Sequence, residues 1–249
     1  MQAEQERERW VQWRRMRDLA LAQEYLFVFI MCHGGALADE RLLGGADRAR
    51  ARRLLRPQDR LNLILGRTLI HHLAHPEGSA AKRELCVGDY GKPYIVGAFD
   101  FNLSHSGAYV ACALSAHGPV GVDIEIFDQV QPSPELLSLM THRAERAVLA
   151  AQNPVQSEIL FRRCWTRKEA VLKLLGIGLI DDLPSIDVKL DQYDPLLSAP
   201  AAIRCLDIHD PLSRFSAALA ANPTIRGALV CLVDARAQFI DHWSLNHCA

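Results

Sequence analysis

FDFNLSHSGAYVACALSAHGPVGVDIEI, residues 99–126, carries the pattern that decides the fold. Phe99, Phe101 and Leu103 alternate with Asp100, Asn102 and Ser104, and Ser106-Gly107 reads as a turn. Tyr109 to Leu114 is a run of small and apolar residues, His117-Gly118-Pro119 is a second turn, and Val120 to Ile126 alternates again. Period-two alternation interrupted by tight turns predicts three short strands in an antiparallel meander.

Upstream, Tyr25 to Cys32 is the first core strand, ended by His33-Gly34-Gly35. Residues from about Asp39 to Leu55 read as helix, stopped near Pro57. Asp59 reads as the N-cap of a second helix, whose Leu61, Leu65, Leu69 and Leu73 line one face before Pro76, Glu77, Gly78 and Ser79 break it. The first two dozen residues carry Trp10, Trp13 and Met16 at helical spacing and are expected to form an appended helix or arm. Downstream, Pro132 and Pro134 mark a linker, followed by helices over about Glu135–Ala151 and Ser157–Leu175, the second ended by Gly176-Ile177-Gly178. Strands are expected at Ser185–Leu190, Ile203–Ile208, Ala228–Val233 and Phe239–Trp243. Both halves place helices before strands. The expectation is an α+β protein of two similar subdomains, residues 25–119 and 120–249, behind an N-terminal extension of residues 1–24.

The chain has 249 residues, 49% hydrophobic and 23% charged, which excludes global disorder. A net charge of −1 argues against bulk attraction to nucleic acid or a membrane surface. Tyr25 to Cys32 is too short to span a bilayer, and the charged residues 1–17 do not form a signal peptide. Seven cysteines without CxxC spacing, Cys248 the last of them, read as buried free thiols of a cytoplasmic protein.

Several short segments bear on chemistry. In Gly121-Val122-Asp123-Ile124-Glu125, Val120, Val122 and Ile124 face the core, so Asp123 and Glu125 share the other face. Adjacent carboxylates repel, and all-oxygen ligation suits magnesium, although a half-buried strand also carries charge on its wet face for no other reason. Gly121 lets something approach the backbone. On the predicted helix, Glu169 and Lys173 lie four apart with Trp165 one turn earlier, a placement equally open to an exposed ion pair. His105 stands beside Ser104 and Ser106 at a strand end where an anion could dock or a turn be capped. Tyr90-Gly91-Lys92-Pro93-Tyr94 is a turn with a lysine. Arg48, Arg50, Arg52, Arg53 and Arg56 suit phosphate oxygens or a solvated helix face; no interleaved aromatics support nucleic-acid binding.

Four segments in order, GKPYI at 91–95, FNLSHSG at 101–107, GVDIE at 121–125 and WTRKEAVLK at 165–173, resemble the Sfp-type 4′-phosphopantetheinyl transferases. The resemblance runs from about Leu26 to the C-terminus. It implies a pseudo-twofold pair of subdomains, each an antiparallel sheet with packed helices, in a monomer that binds coenzyme A in the cleft between them. It also implies transfer of 4′-phosphopantetheine from coenzyme A to a serine of an apo acyl, peptidyl or aryl carrier protein, with release of adenosine 3′,5′-bisphosphate. By this resemblance Asp123, Glu125 and Glu169 hold Mg2+, Glu169 is the general base, and Lys173 neutralises phosphate oxygens. Lys92, Ser104 and His105 fall on coenzyme-A-contacting positions. Arg50 is the nearest match for the 3′-phosphate, and Asn62 stands where relatives often carry a basic residue. A metal-dependent pyrophosphate hydrolase and a non-catalytic binding protein are the competing readings.

Overall fold

The computed structural model describes residues 2–32, 37–75, 85–88, 91–126, 132–178, 182–198, 201–210, 212–234 and 239–246. The breaks expected at His33–Gly35 and Pro76–Ser79, together with Tyr90 and Cys248, lie outside them. The elements are α1 (Gln2–Leu21), β1 (Tyr25–Cys32), α2 (Gly45–Arg53), α3 (Pro57–Leu73), β2 (Cys86–Val87), β3 (Pro93–Tyr94), β4 (Asp100–Ser106), β5 (Tyr109–Ser115) and β6 (Val120–Ile126). They continue with α4 (Pro134–Met140), α5 (Arg143–Ala150), α6 (Pro154–Leu175), β7 (Leu196–Leu197), β8 (Ile203–His209), β9 (Phe215–Ala221), β10 (Gly227–Val233) and β11 (Phe239–Asn246). The protein is α+β, as the alternation predicts.

Two sheets stack face to face. One has the order β11-β10-β1-β5-β4 and the other β6-β9-β8-β7, with β2 and β3 forming a separate two-stranded ribbon. Leu26, Val28 and Ile30 of β1 meet Val122, Ile124, Leu206 and Leu219 of the second sheet, while Phe27, Phe29 and Met31 meet α1 and α3 on the opposite face. Burial on both faces explains why β1 is an unbroken apolar run. Ala218, Ala220 and Cys205 on the outer face of the second sheet pack against Val171 and Leu174 of α6. The layers are therefore helix, sheet, sheet, helix.

This arrangement departs from the sequence expectations at several points. β10 and β11 return from the second half to the first sheet, so the sheets do not divide at residue 119. β10 pairs with β1 in parallel, making that sheet mixed rather than wholly antiparallel. The segment 185–190 forms no strand. β9, which was not expected, sits between β6 and β8. Its FSAALAA composition lacks the β-branched residues that mark strands, yet its alanines let α6 lie close. The first predicted helix splits at Gly44 into a short 3-10 turn, Glu40–Leu42, and α2. Pro57, not Asp59, begins α3, since its fixed φ and missing N–H suit the first helical position. The 135–151 helix is two, because His142 starts a new one through a capping box with Glu145.

The largest correction concerns the N-terminus: α1 is part of the core, not an appendage. Trp10 and Trp13 are buried, with the Trp13 ring 4.8 Å from Phe29 and Trp10 stacked on His72 at 4.1 Å. Arg17 is fully buried and donates to the carbonyls of Leu73 (2.6 Å) and His75 (2.7 Å), groups that the end of α3 leaves unpaired. His117 in turn meets the Leu21 carbonyl at the end of α1 (2.8 Å). Burial, then the charges of His71 and Arg14, lower His72 to about 4. A histidine lowered in the folded state is stabilising above its unfolded value and must be protonated as pH falls. The melting temperature is therefore expected to fall from pH 7 to pH 4.5 more steeply in the natural protein than in His72→Gln. Parallel pH profiles of the two would remove His72 as the cause.

Candidate active site

Between β4 and β6 the two sheets are joined by side chains rather than by a shared strand pair. On β4, Asp100, Asn102, Ser104 and Ser106 share one face, and each accepts a backbone N–H from β6. Asp100 Oδ2 takes that of Val120 (2.7 Å), Asn102 Oδ1 that of Val122 (3.0 Å), Ser104 Oγ that of Ile124 (3.4 Å) and Ser106 Oγ that of Ile126 (3.2 Å). The constant offset of 20 residues means that β4 and β6 run in the same direction. The polar side of the β4 alternation marks a seam inside the molecule.

This seam orients the predicted carboxylates. Ser104 donates to Asp123 Oδ1 (2.8 Å) and Ser106 to Glu125 Oε2 (2.7 Å). Lys173 donates to the same Asp123 oxygen (2.6 Å) and to Ser104 (2.9 Å). Trp165 Nε1 lies 3.4 Å from Glu125 Oε1. Asp123 is thus not on an exposed face; it is 3% accessible, under α6. Gly121 explains the approach: a Cβ there would lie 1.9 Å from the Ala170 carbonyl oxygen and 2.6 Å from the Leu174 nitrogen. The space left by Gly121 admits α6 itself.

Asp123 Oδ2 and Glu169 Oε1 are both buried without a hydrogen-bond partner. Burial raises the Asp123 carboxyl against the opposing pull of Lys173, and burial together with the Asp123 charge raises Glu169. Two desolvated oxygens lacking donors, beside a third carboxylate, form a donor set that fits a hard cation. Among the described residues no three His, Cys, Asp or Glu are already drawn together as ligands. The Lys173 ammonium neutralises Asp123.

A cleft leads away from these groups. Its wider part, about 440 Å³, is lined by residues including Arg50, Asp59, Asn62, Gly66, Ser104 and His105; a narrower part, about 260 Å³, includes Lys92, Asn102, Glu169 and Lys173. Gly91, Pro93 and Leu103 line both, so the parts adjoin. Arg67 also lines the wide part but is held bidentately by Asp47 (2.6 and 2.9 Å), whereas Arg50 is exposed and has no ion-pair partner among the described residues. Burial and the nearby Lys173 charge lower His105. Lys92 is turned onto Asp100 (3.3 Å) and the Val120 carbonyl (3.0 Å), clasping the seam from the ribbon. Asn62 is buried and accepts from Gln58 (3.2 Å).

The other charges of α6 have a different task. Arg167 is bidentate to Asp207 (2.8 and 2.6 Å) and donates to the carbonyls of Val188, Lys189 and Gln192. Lys168 pairs with Glu145 (3.0 Å) and donates to the carbonyls of Leu183 and Ile186, while Glu145 takes the Val188 N–H. These buried groups satisfy the backbone of 183–192, which contains the stretch 185–190 expected to be a strand.

A family model described as the 4′-phosphopantetheinyl transferase superfamily matches residues 119–217, from the start of β6 into β9. The 4′-phosphopantetheinyl transferase Sfp of Bacillus subtilis is 30% identical over 168 residues, 66% of this chain and 71% of Sfp. The chain belongs to the 4′-phosphopantetheinyl transferase family. The transferase AcpT of Salmonella typhimurium is 36% identical over 133 residues, 53% of this chain and 66% of AcpT. The gsp transferase of Aneurinibacillus migulanus is 28% identical over 149 residues, 60% of each chain. The matched stretch thus spans roughly two thirds of the length of these relatives. In this transferase-family chain, no described helix is long and apolar enough to cross a membrane. The six described cysteines are free, and burial pushes the Cys112, Cys205 and Cys231 thiols up to about 12.

The sequence singled out Asp123, Glu125, Glu169, Lys173, Ser104 and His105, but offered Ser106 only as a turn residue and a hydroxyl beside His105, with no link to a carboxylate. The matching Ser-x-Ser and Asp-x-Glu spacings on β4 and β6 were the available signal. Gly121→Ala is expected to push α6 off β6 and lower stability by about 1–3 kcal/mol, measured by urea denaturation. An unchanged midpoint would mean that α6 is not clamped there.

Proposed function

We propose that this chain transfers the 4′-phosphopantetheine group of coenzyme A to a serine of an apo carrier protein, releasing adenosine 3′,5′-bisphosphate. The observation that carries the reading is the pair of orphaned carboxylate oxygens, on Asp123 and Glu169, beside Lys173 at one end of a cleft whose other end carries Arg50, which has no ion-pair partner among the described residues. That span suits a ligand with anionic groups at both ends and an uncharged middle. Arg50 receives the 3′-phosphate, and Ser104, His105 and Lys173 meet the pyrophosphate. Lys92 reaches the same cleft and joins them on release from Asp100.

Asp123, Glu125 and Glu169 would hold Mg2+, which when bound supplies charge neutralisation on the pyrophosphate. Lys173, now spent on Asp123, is then free to donate to the phosphate oxygens that gain charge as the bond to the leaving group breaks. Glu169 accepts the proton of the incoming serine hydroxyl, and its raised affinity for protons moves it toward the range a general base requires. The hydroxyl oxygen attacks the β-phosphorus while the bridging oxygen departs with the adenosine bisphosphate. Placement and charge carry the rate, with no covalent enzyme intermediate. We read the working unit as a monomer, because both ends of the cleft come from one chain.

Intact mass of an apo acyl carrier protein, incubated with this protein, coenzyme A and Mg2+, is expected to rise by one phosphopantetheine, and EDTA is expected to abolish the gain. Glu169→Gln is expected to lower turnover about 100-fold or more while leaving coenzyme A binding within a few-fold. Release of free phosphopantetheine without protein labelling would indicate a hydrolase instead.

A further inference from the structure

The four rungs of the β4–β6 seam are not chemically alike. Asp100 and Asn102 meet β6 through acceptor oxygens. Ser104 and Ser106 meet it through hydroxyls, which accept the backbone N–H and still have a proton to give. The change to hydroxyls falls where β6 carries carboxylates, and each proton goes to the carboxylate one residue before the N–H it accepts, Asp123 and Glu125. A strut for β6 alone would need no donor. Ser104 also accepts from Lys173, whereas among the described residues Glu125 is the one side chain that Ser106 meets, and Trp165 faces that carboxylate's other oxygen. Glu125 is thus held from β4 on one side and from α6 on the other, next to the buried, partnerless Asp123 Oδ2.

We propose that Ser106 is a positioning residue that holds Glu125 in the orientation needed to share a divalent cation with Asp123 and Glu169. The inference rests on the reading of the preceding subsection. A long carboxylate fixed in one rotamer before the ion arrives has less freedom to lose on binding, and removal of such outer partners weakens metal binding by about 10–100-fold. Ser106 itself touches neither ion nor substrate.

Mn2+ serves as the probe, titrated into the full-length chain without coenzyme A and followed by the loss of its free electron-spin-resonance signal. Ser106→Ala is expected to weaken Mn2+ at least 10-fold, and Ser106→Thr, which keeps the hydroxyl, to restore the affinity to within about threefold of the natural protein. Asp123→Asn is expected to abolish binding. Equal Mn2+ affinity in Ser106→Ala, whatever its melting temperature, overturns the inference and leaves the transferase reading standing. A loss that threonine does not restore also overturns it, because packing rather than the hydroxyl is then responsible. Absence of Mn2+ binding in the natural protein overturns both.

Discussion

Everything at the site depends on how the free edge of β6 is satisfied. β6 is the outermost strand of its sheet, and its N–H groups toward β4 have no strand partner. Buried backbone donors left unpaired are costly, so some group must meet them. Side chains from the edge of the other sheet do so, at a fixed offset of 20 residues. One set of hydrogen bonds thereby closes the rim of the sandwich, holds the two sheets in register and sets Ser104 and Ser106 against Asp123 and Glu125.

The same device recurs on the far side of α6. There Arg167, Lys168 and Glu145 replace a neighbouring strand for the backbone of 183–192. α6 is consequently anchored by buried charges on one face and presents Glu169 and Lys173 to the cleft on another. The absence of a side chain at Gly121 completes the fit by letting β6 touch the helix backbone. Carboxylates from β6 and α6 and the Lys173 ammonium are held at a spacing that neither element sets alone, which is what the proposed transfer, resting on placement and charge, requires.

Much of the fold was legible because its strands obey simple alternation. β1, β4, β5 and β6 announce themselves by apolar runs or period two, and the turn between β4 and β5 by Ser106-Gly107. β9 was illegible because alanine has little strand preference; its place is set by the helix that needs a flat surface. Segment 185–190 was misleading for the converse reason: its alternation is real, but long charged side chains from α6 occupy the position of a pairing strand. α1 read as an appended arm because nine of its twenty residues are charged. Its buried residues, Trp10, Trp13 and Arg17 among them, carry its contact with β1 and α3.

By itself the sequence determined the residue types and their local periods: the Asp-x-Glu pair on a strand, Glu169 and Lys173 on one helix face, glycine at 121, and the ordered motifs that resemble a transferase family. Only the tertiary structure decided what each faces. It buried the polar side of β4 as a seam, turned Asp123 under α6, made Lys168 a strut and left Lys173 in the cleft, and returned the last two strands to the first sheet. The physical reason is that alternation states which residues share a face, whereas the partner of that face is fixed by long-range packing and by the requirement that every buried polar group find a mate.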